Sequence, residues 1–130
     1  MTVLIDTHAL VWWLLEPNRL SKAARDLISS YEIATYQEVL VSAVSVYEID
    51  IKRDRDGALS RMPKSMPRSL PLLGFRILDV TGEDAWEAAR LPLHHKDPWD
   101  RILIAQARRL DIALISKDEM LSAYDVPIIW

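Results

Sequence analysis

Four acidic residues stand where short apolar, β-branched runs give way to helices or turns. Asp6 follows Val3-Leu4-Ile5, Glu48 lies just past Val39-Leu40-Val41, Asp100 heads an apolar helical pattern, and Asp118 follows residues 112–116. In an open parallel sheet the carboxyl ends of the strands border one crevice, so acids distant in sequence can meet there. Carboxylates gathered in one pocket repel and raise each other's pKa, which is costly unless a cation neutralises them. Mg2+ or Mn2+ is the natural answer, because hard divalent ions prefer carboxylate and water oxygens and Mg2+ keeps waters while bridging to phosphate. The chemistry this predicts is metal-assisted attack of water on a phosphodiester, with one or two ions lowering the water's pKa and stabilising the developing negative charge.

Each acid also has a purely structural reading. Ser45-Val46-Tyr47-Glu48 fits a capping box, and Asp97-Pro98-Trp99-Asp100 fits an N-cap, a proline at the first helical position and an acid in the first turn. Asp118 suits a turn before Glu119-Met120-Leu121. Asp6 directly follows the expected central strand, where a buried carboxylate needs a partner or a metal. Thr7 and Ser116 carry hydroxyls beside the acids, suited to orienting waters or carboxylates or to hydrogen-bonding in a turn. Lys96, Arg101 and Lys117 flank the acids as candidates for holding substrate phosphate, against a reading as solvated surface charge. A zinc site is set aside: it wants several convergent nitrogen or sulfur ligands, and the adjacent His94 and His95 do not easily point the same way, while His8 fits a packing role. Trp12, Trp13, Trp86, Trp99 and Trp130 suit core or interface positions better than base stacking.

The elements that must position these residues follow from hydrophobic period. Apolar runs at residues 3–5, 39–41, 76–78, 112–115 and 127–129 alternate with helical stretches beginning after Asp6, Ser21, Ser42 or Ser45, Thr81 or Gly82, and Asp97. That alternation predicts βαβ units and a mostly parallel sheet of about five strands. Residues 57–71, with Pro63, Pro67 and Pro71 among basic residues, are expected to form a long surface connection. A single domain over 1–130 is expected, long enough to bury roughly two-thirds of the surface its unfolded chain exposes.

Composition narrows the function. Half the residues are hydrophobic and 27% are charged, which is ordinary globular composition. With no cysteine, neither disulfides nor thiolate metal sites can form, and a metal must be held by oxygen or imidazole. No apolar run reaches the roughly 20 residues of a membrane span, and no basic start or cleavage site precedes Val3, so a cytoplasmic, unexported protein is expected. The formal net charge of −3 argues against nonspecific binding to nucleic acid, yet Lys52, Arg53, Arg55, Arg61, Lys64 and Arg68 make a local basic stretch suited to guiding RNA or gripping a protein partner.

Taken together, Asp6-Thr7-His8-Ala9-Leu10, Ser45-Val46-Tyr47-Glu48-Ile49, the run from Asp97-Pro98-Trp99-Asp100-Arg101 to Gln106-Ala107, Leu114-Ile115-Ser116-Lys117-Asp118 and Val126-Pro127-Ile128-Ile129-Trp130 form an ordered set covering nearly the whole chain. The set resembles the PIN-domain toxins of the VapC type, the ribonuclease half of prokaryotic toxin–antitoxin pairs. The resemblance implies a three-layer α/β/α sandwich, Mg2+- or Mn2+-dependent endoribonuclease activity, homodimerisation, and inhibition by a cognate antitoxin through which DNA is met only indirectly. It carries the core metal site onto Asp6, Glu48 and Asp100, with Asp118 as a fourth acid whose contact with metal varies in the family. Asp97 and Asp100 are both available; the spacing of Asp100 to Ile104-Ala105 fits the family pattern better, which leaves Asp97 as the helix cap. Two other functions remain open: a catalytically idle domain that binds an antitoxin and acts in operator autoregulation, and a receiver-like domain binding Mg2+ in an acidic pocket. Retention of four mutually repelling acids argues against the first, and the single acid after Val3-Leu4-Ile5 against the second.

Overall fold

Short β-branched and aliphatic runs form five strands: β1 Thr2–Ile5, β2 Glu38–Ser42, β3 Phe75–Leu78, β4 Ala113–Ile115 and β5 Ile128–Ile129. The structure is a computed structural model, and it describes residues 1–30 and 38–130. All pairings are parallel, in the order β3-β2-β1-β4-β5. Parallel neighbours need crossover connections, which bring helices over the sheet's faces. The helices are α1 Thr7–Leu15, α2 Lys22–Ser29, α3 Ala43–Lys52, α4 Met66–Leu72, α5 Gly82–Arg90 and α6 Pro98–Leu110.

Alternation along the strands divides the core in two. Val3, Ile5, Val39, Val41, Phe75 and Ile115 face one cluster with Ala9 and Leu10 of α1, Ala24 and Ile28 of α2, and Met66 and Leu70 of α4. Leu4, Leu40, Leu78 and Leu114 face the other, with Leu103, Ile104 and Ala107 of α6. Both faces are therefore covered, which is the expected three-layer α/β/α arrangement. The chain starts its sheet in the middle with β1, moves outward through β2 to β3, and returns to the other flank with β4. This reversal leaves a crevice at the carboxyl ends of β1 and β4, where such sheets bind ligands. A receiver-like domain would have the order 2-1-3-4-5 instead.

Residues 57–71 depart from the expected surface connection. They hold a short 3-10 turn, Leu59–Arg61, and the start of α4, while Leu59, Met62, Met66 and Leu70 are buried. Pro67 falls in the first turn of α4, where no backbone donor is required, and Pro71 falls one residue from its end, so neither proline prevents the helix. Within α4, Met66 and Leu70 stand four residues apart on its buried face, a helical spacing that the prolines mask. Gly74 then takes φ 91°, a left-handed conformation open to glycine, and turns the chain into β3. Arg53 belongs to this packing and not to a free basic face: its guanidinium donates to the carbonyls of Leu59, Met62 and Pro63 and pairs with Asp50 at 2.8 Å.

Arg101 requires a second correction. It was a candidate for holding substrate phosphate, but it is 8% exposed and its guanidinium donates to the carbonyls of Ala88 (2.8 Å), Leu91 (2.6 Å), Pro92 (3.1 Å) and His95 (3.1 Å). Both terminal nitrogens are turned inward because the segment between α5 and α6 has no ladder to satisfy its carbonyls, and one planar fork from the first turn of α6 does so. Tyr124 completes the anchor, its hydroxyl donating to Pro92 O at 2.6 Å and accepting from His95 N at 3.0 Å. Arg101→Leu should therefore lower unfolding stability by at least roughly 1–3 kcal/mol, the cost of stranding buried polar groups. Arg101→Lys should recover little of it, since an ammonium cannot span the same carbonyls. Urea melts of both variants check this, and an unchanged midpoint would return Arg101 to the substrate.

Candidate active site

The side chain of Asp6 is at the end of β1 because the same residue caps α1. Its backbone N–H donates to Ile115 O at 3.0 Å, continuing the β1–β4 ladder, while its Oδ1 accepts from Ala9 N at 2.8 Å. Asp6 is 5% exposed, and burial pushes its carboxyl above the ordinary value despite hydrogen bonds from Ser116 and Ala9. The charge of Asp118 acts in the same direction. Ser116 and Asp118 lie just past β4, on the other side of the crevice, and Ser116 Oγ accepts from Asp118 N at 3.1 Å.

Glu48 comes from the middle of α3, the helix that follows β2. Ser42 caps this helix, accepting from Val44 N at 3.1 Å, so Ser45 lies within it and the capping box read from Ser45 to Glu48 does not form. Ser45 instead accepts from Thr7 Oγ1 at 2.9 Å, a buried bond that ties the first turn of α1 to α3. Glu48 itself is 6% exposed and takes the ammonium of Lys52, one turn on, at 2.6 Å.

At the head of α6 the two aspartates divide their roles. Asp97 caps the helix, its Oδ1 accepting from Trp99 N at 2.8 Å and Asp100 N at 3.3 Å, with Pro98 in the first turn as the sequence predicts. Asp100 points into the cluster. Burial first, then the charges of Asp97, Asp6 and Glu48, push its carboxyl up to about 7 against the opposing influence of His95. Asp118 meets both of its readings: one oxygen caps the 3-10 turn Glu119–Ala123 through Met120 N at 2.9 Å, and the other lies 2.7 Å from His95 Nε2.

His95 is the residue that sequence reasoning missed. Its Nε2 also lies 3.0 Å from Asp100 Oδ2, so one imidazole bridges two of the predicted acids. His94 turns away and stacks against Tyr124, with ring centroids 5.3 Å apart, in keeping with the expectation that the adjacent pair diverge. The available signal was the position of His95 two residues before a helix cap.

Two grooves flank the acids. One, of about 410 Å3, is lined by Asp6, His8, Trp12, Lys117 and Asp118, and its neighbour, of about 320 Å3, by Thr7, His8, Trp12, Arg19 and Glu48. Trp12 forms the ridge between them, with the Arg19 guanidinium 4.6 Å and the Lys117 ammonium 5.8 Å from its ring. Lys96 lies elsewhere, in a cavity with Ala85, Pro98 and Arg101, so of the three predicted phosphate holders Lys117 is the one that borders the acids. The donor chemistry suits a hard divalent ion: Asp100 and Asp118 meet at His95, the charges of Asp6 and Glu48 reach Asp100, and the carboxyls of Asp6 and Asp100 are held above their ordinary values.

The model of the PIN domain family matches residues 3–127. Ribonuclease VapC22 of Mycobacterium tuberculosis is 30% identical over 127 residues, which cover 97% of this chain and 94% of that protein. Among solved structures, VapBC2 from Rickettsia felis bound to a DNA fragment from their promoter superposes with a TM-score of 0.70 at 9% identity, over 99% of this chain and 98% of that one. FitAcB from Neisseria gonorrhoeae gives 0.68 at 20% identity, over 98% and 96%. The five-stranded parallel sheet, the acids at its carboxyl edge and these likenesses agree: the chain belongs to the PIN domain family, in its VapC-type branch.

Proposed function

We propose that this protein is a metal-dependent endoribonuclease, the toxin of a toxin–antitoxin pair, acting in the cytoplasm and restrained by a cognate antitoxin. What supports the reading is an electrostatically linked set of acids from four separate segments: the charges of Asp6 and Glu48 act on Asp100, that of Asp118 acts on Asp6, and Asp100 and Asp118 share the His95 imidazole. The VapC22 likeness supports ribonuclease action, and the VapBC2 likeness supports an antitoxin partner through which promoter DNA is met. Homodimerisation comes with the same reading.

Asp6, Glu48, Asp100 and Asp118 would hold Mg2+ or Mn2+. Such an ion, when bound, eases ionisation of an attacking water and offsets the charge developing on the phosphate oxygens. The chain's own residues do the rest. Thr7 and Ser45 lock α1 to α3 and so fix Asp6 relative to Glu48. Ser116 holds the Asp6 carboxyl, and Asp97 fixes the helix start from which Asp100 projects. Lys117 lies at the rim, where its ammonium can receive a phosphate oxygen. An idle, binding-only domain would have no use for carboxyls held in mutual repulsion, and the physical cost of the cluster favours the catalytic reading.

That cost sets the first expected outcome. A carboxyl whose folded-state pKa lies above its unfolded value binds more protons when folded, so its contribution weakens the fold as pH rises between about 4 and about 7. Metal-free protein should therefore lose stability across that window, and Asp100→Asn should flatten the loss. Mg2+ or Mn2+ at about a hundred times its dissociation constant should restore about 2.7 kcal/mol at neutral pH if it binds the native state alone. Thermal melts across pH, with and without the ions, read both effects, and a midpoint indifferent to millimolar metal would sink the proposed site.

The second outcome separates the two aspartates of α6. Asp100→Asn should fold as well as the parent and lose RNA cleavage by orders of magnitude. Asp97→Asn keeps a capping oxygen and should retain most activity, while Asp97→Ala should cost roughly 1 kcal/mol of stability. Cleavage assays on purified variants decide it: an inactive Asp97→Asn beside a fully active Asp100→Asn would reverse the assignment.

A further inference from the structure

His95, Asp100 and Asp118 each bring one ligand-type atom within 4.8 Å of the others, a geometry that invites reading the histidine as a third metal ligand. The ring's other nitrogen decides against it. Asp97 N–H points at His95 Nδ1 at 3.2 Å, so Nδ1 must present a lone pair. The proton of the neutral ring is then on Nε2, the atom that faces Asp118 Oδ2 at 2.7 Å and Asp100 Oδ2 at 3.0 Å. A metal-ligating Nε2 would need the opposite tautomer, with Nδ1–H driven against the Asp97 N–H. Turning the ring over would set carbon atoms against both the backbone donor and the carboxylates, losing both contacts.

The main chain of His95 is fixed as firmly as its ring. Its N–H donates to Tyr124 Oη at 3.0 Å, and its carbonyl accepts from Arg101 at 3.1 Å. Three anchors, two from the start of α6 and one from the end of the last 3-10 turn, thus aim a single N–H at the gap between two carboxylates. Donors that grip metal-binding carboxylates from behind fix their orientation and commonly contribute as much to affinity as a weak ligand does.

We propose that His95 is a positioning residue: it donates its Nε2 proton to Asp118, with Asp100 alongside, and sets the aim of both carboxylates without itself binding the ion. The proposal rests on the metal-dependent reading above for its consequence and on the tautomer for its geometry, and the two can fail separately.

Nitrogen-15 spectra of the labelled, metal-free full-length chain read the His95 ring directly. The expected pattern is that of a protonated Nε2 with a bare Nδ1, and a protonated Nδ1 with a bare Nε2 overturns the proposal. Calorimetric titration with Mg2+ and with Mn2+ then compares wild type, His95→Ala and His95→Gln. The alanine variant should weaken both ions by a similar factor, roughly 10–100-fold, and the glutamine variant, whose amide can donate from near the Nε2 position, should recover most of it. Loss confined to Mn2+, which accepts imidazole more readily than Mg2+ does, would mark a nitrogen ligand and overturn the proposal, as would directly bonded nitrogen coupling in the electron paramagnetic resonance of the Mn2+-loaded protein. If wild type binds neither ion, the preceding reading fails, while the tautomer still decides the position of His95.

Discussion

Bringing carboxylates together at the end of a parallel sheet is unfavourable, and the organisation of this protein follows from how that cost is met. The crevice between β1 and β4 exists because the chain, after moving outward from β1 to β3, returns to the other side of the central strand with β4, and Asp6 stands at its base, nearly sealed from water. Each acid that joins it adds repulsion in a region where water screens poorly. The structure offsets part of the repulsion with donors on three of the acids. Asp6 receives Ala9 N–H and the Ser116 hydroxyl, Asp118 receives Met120 N–H, and Glu48 receives the Lys52 ammonium. What remains concentrates on Asp100, whose carboxyl has His95 as its polar side-chain partner among the described residues. Asp100 is consequently the acid whose proton affinity has moved to about 7, near the pH at which a cation would compete for it.

A large share of the surrounding polar structure holds these acids still. Arg101 and Tyr124 tie down the segment between α5 and α6, which has no regular structure of its own, and that segment carries His95 and Asp97. The pair Asp84–Arg109, bidentate at 2.7 and 3.0 Å, joins α5 to α6 while Asp84 also closes a capping box with Thr81. Its location on the far part of α6 makes it a brace for the helix that presents Asp100. Arg101 and Arg109 are engaged in this way, whereas Lys117 borders the groove beside Asp6 and Asp118.

The layered fold was legible because burial writes itself into the period of hydrophobic residues. Val3, Leu4 and Ile5 are all buried, on alternating faces, and their unbroken apolar run is what a strand covered on both sides requires. Asp6 and Asp97 were legible as caps, and Asp100 as the inward acid, because helix starts impose local chemistry that the sequence carries in three or four adjacent residues. Residues 57–71 were misread because proline is a signal about single backbone donors, while the helix there is decided by Met66 and Leu70 finding the core. Arg101 and His95 were misread for a similar reason. An arginine one residue after Asp100 and a histidine five residues before it look alike in sequence, and only the path of the chain between α5 and α6 determines which side chain reaches the carboxylates.

Helix starts therefore do more here than terminate backbone ladders. Asp6 opens α1, Asp97 opens α6 and Asp118 opens the last 3-10 turn, so three sets of backbone N–H groups open beside the same crevice. The positive ends of the two α-helices favour negative charge nearby and offset part of the repulsion among the acids. That support is limited in reach: it fades within a turn and acts on the residues that cap. Asp100, in the first turn but not at the cap, receives less hydrogen bonding than Asp97 and more repulsion. The site is thus supported at its caps and left short of positive charge at one acid, Asp100, where the repulsion gathers.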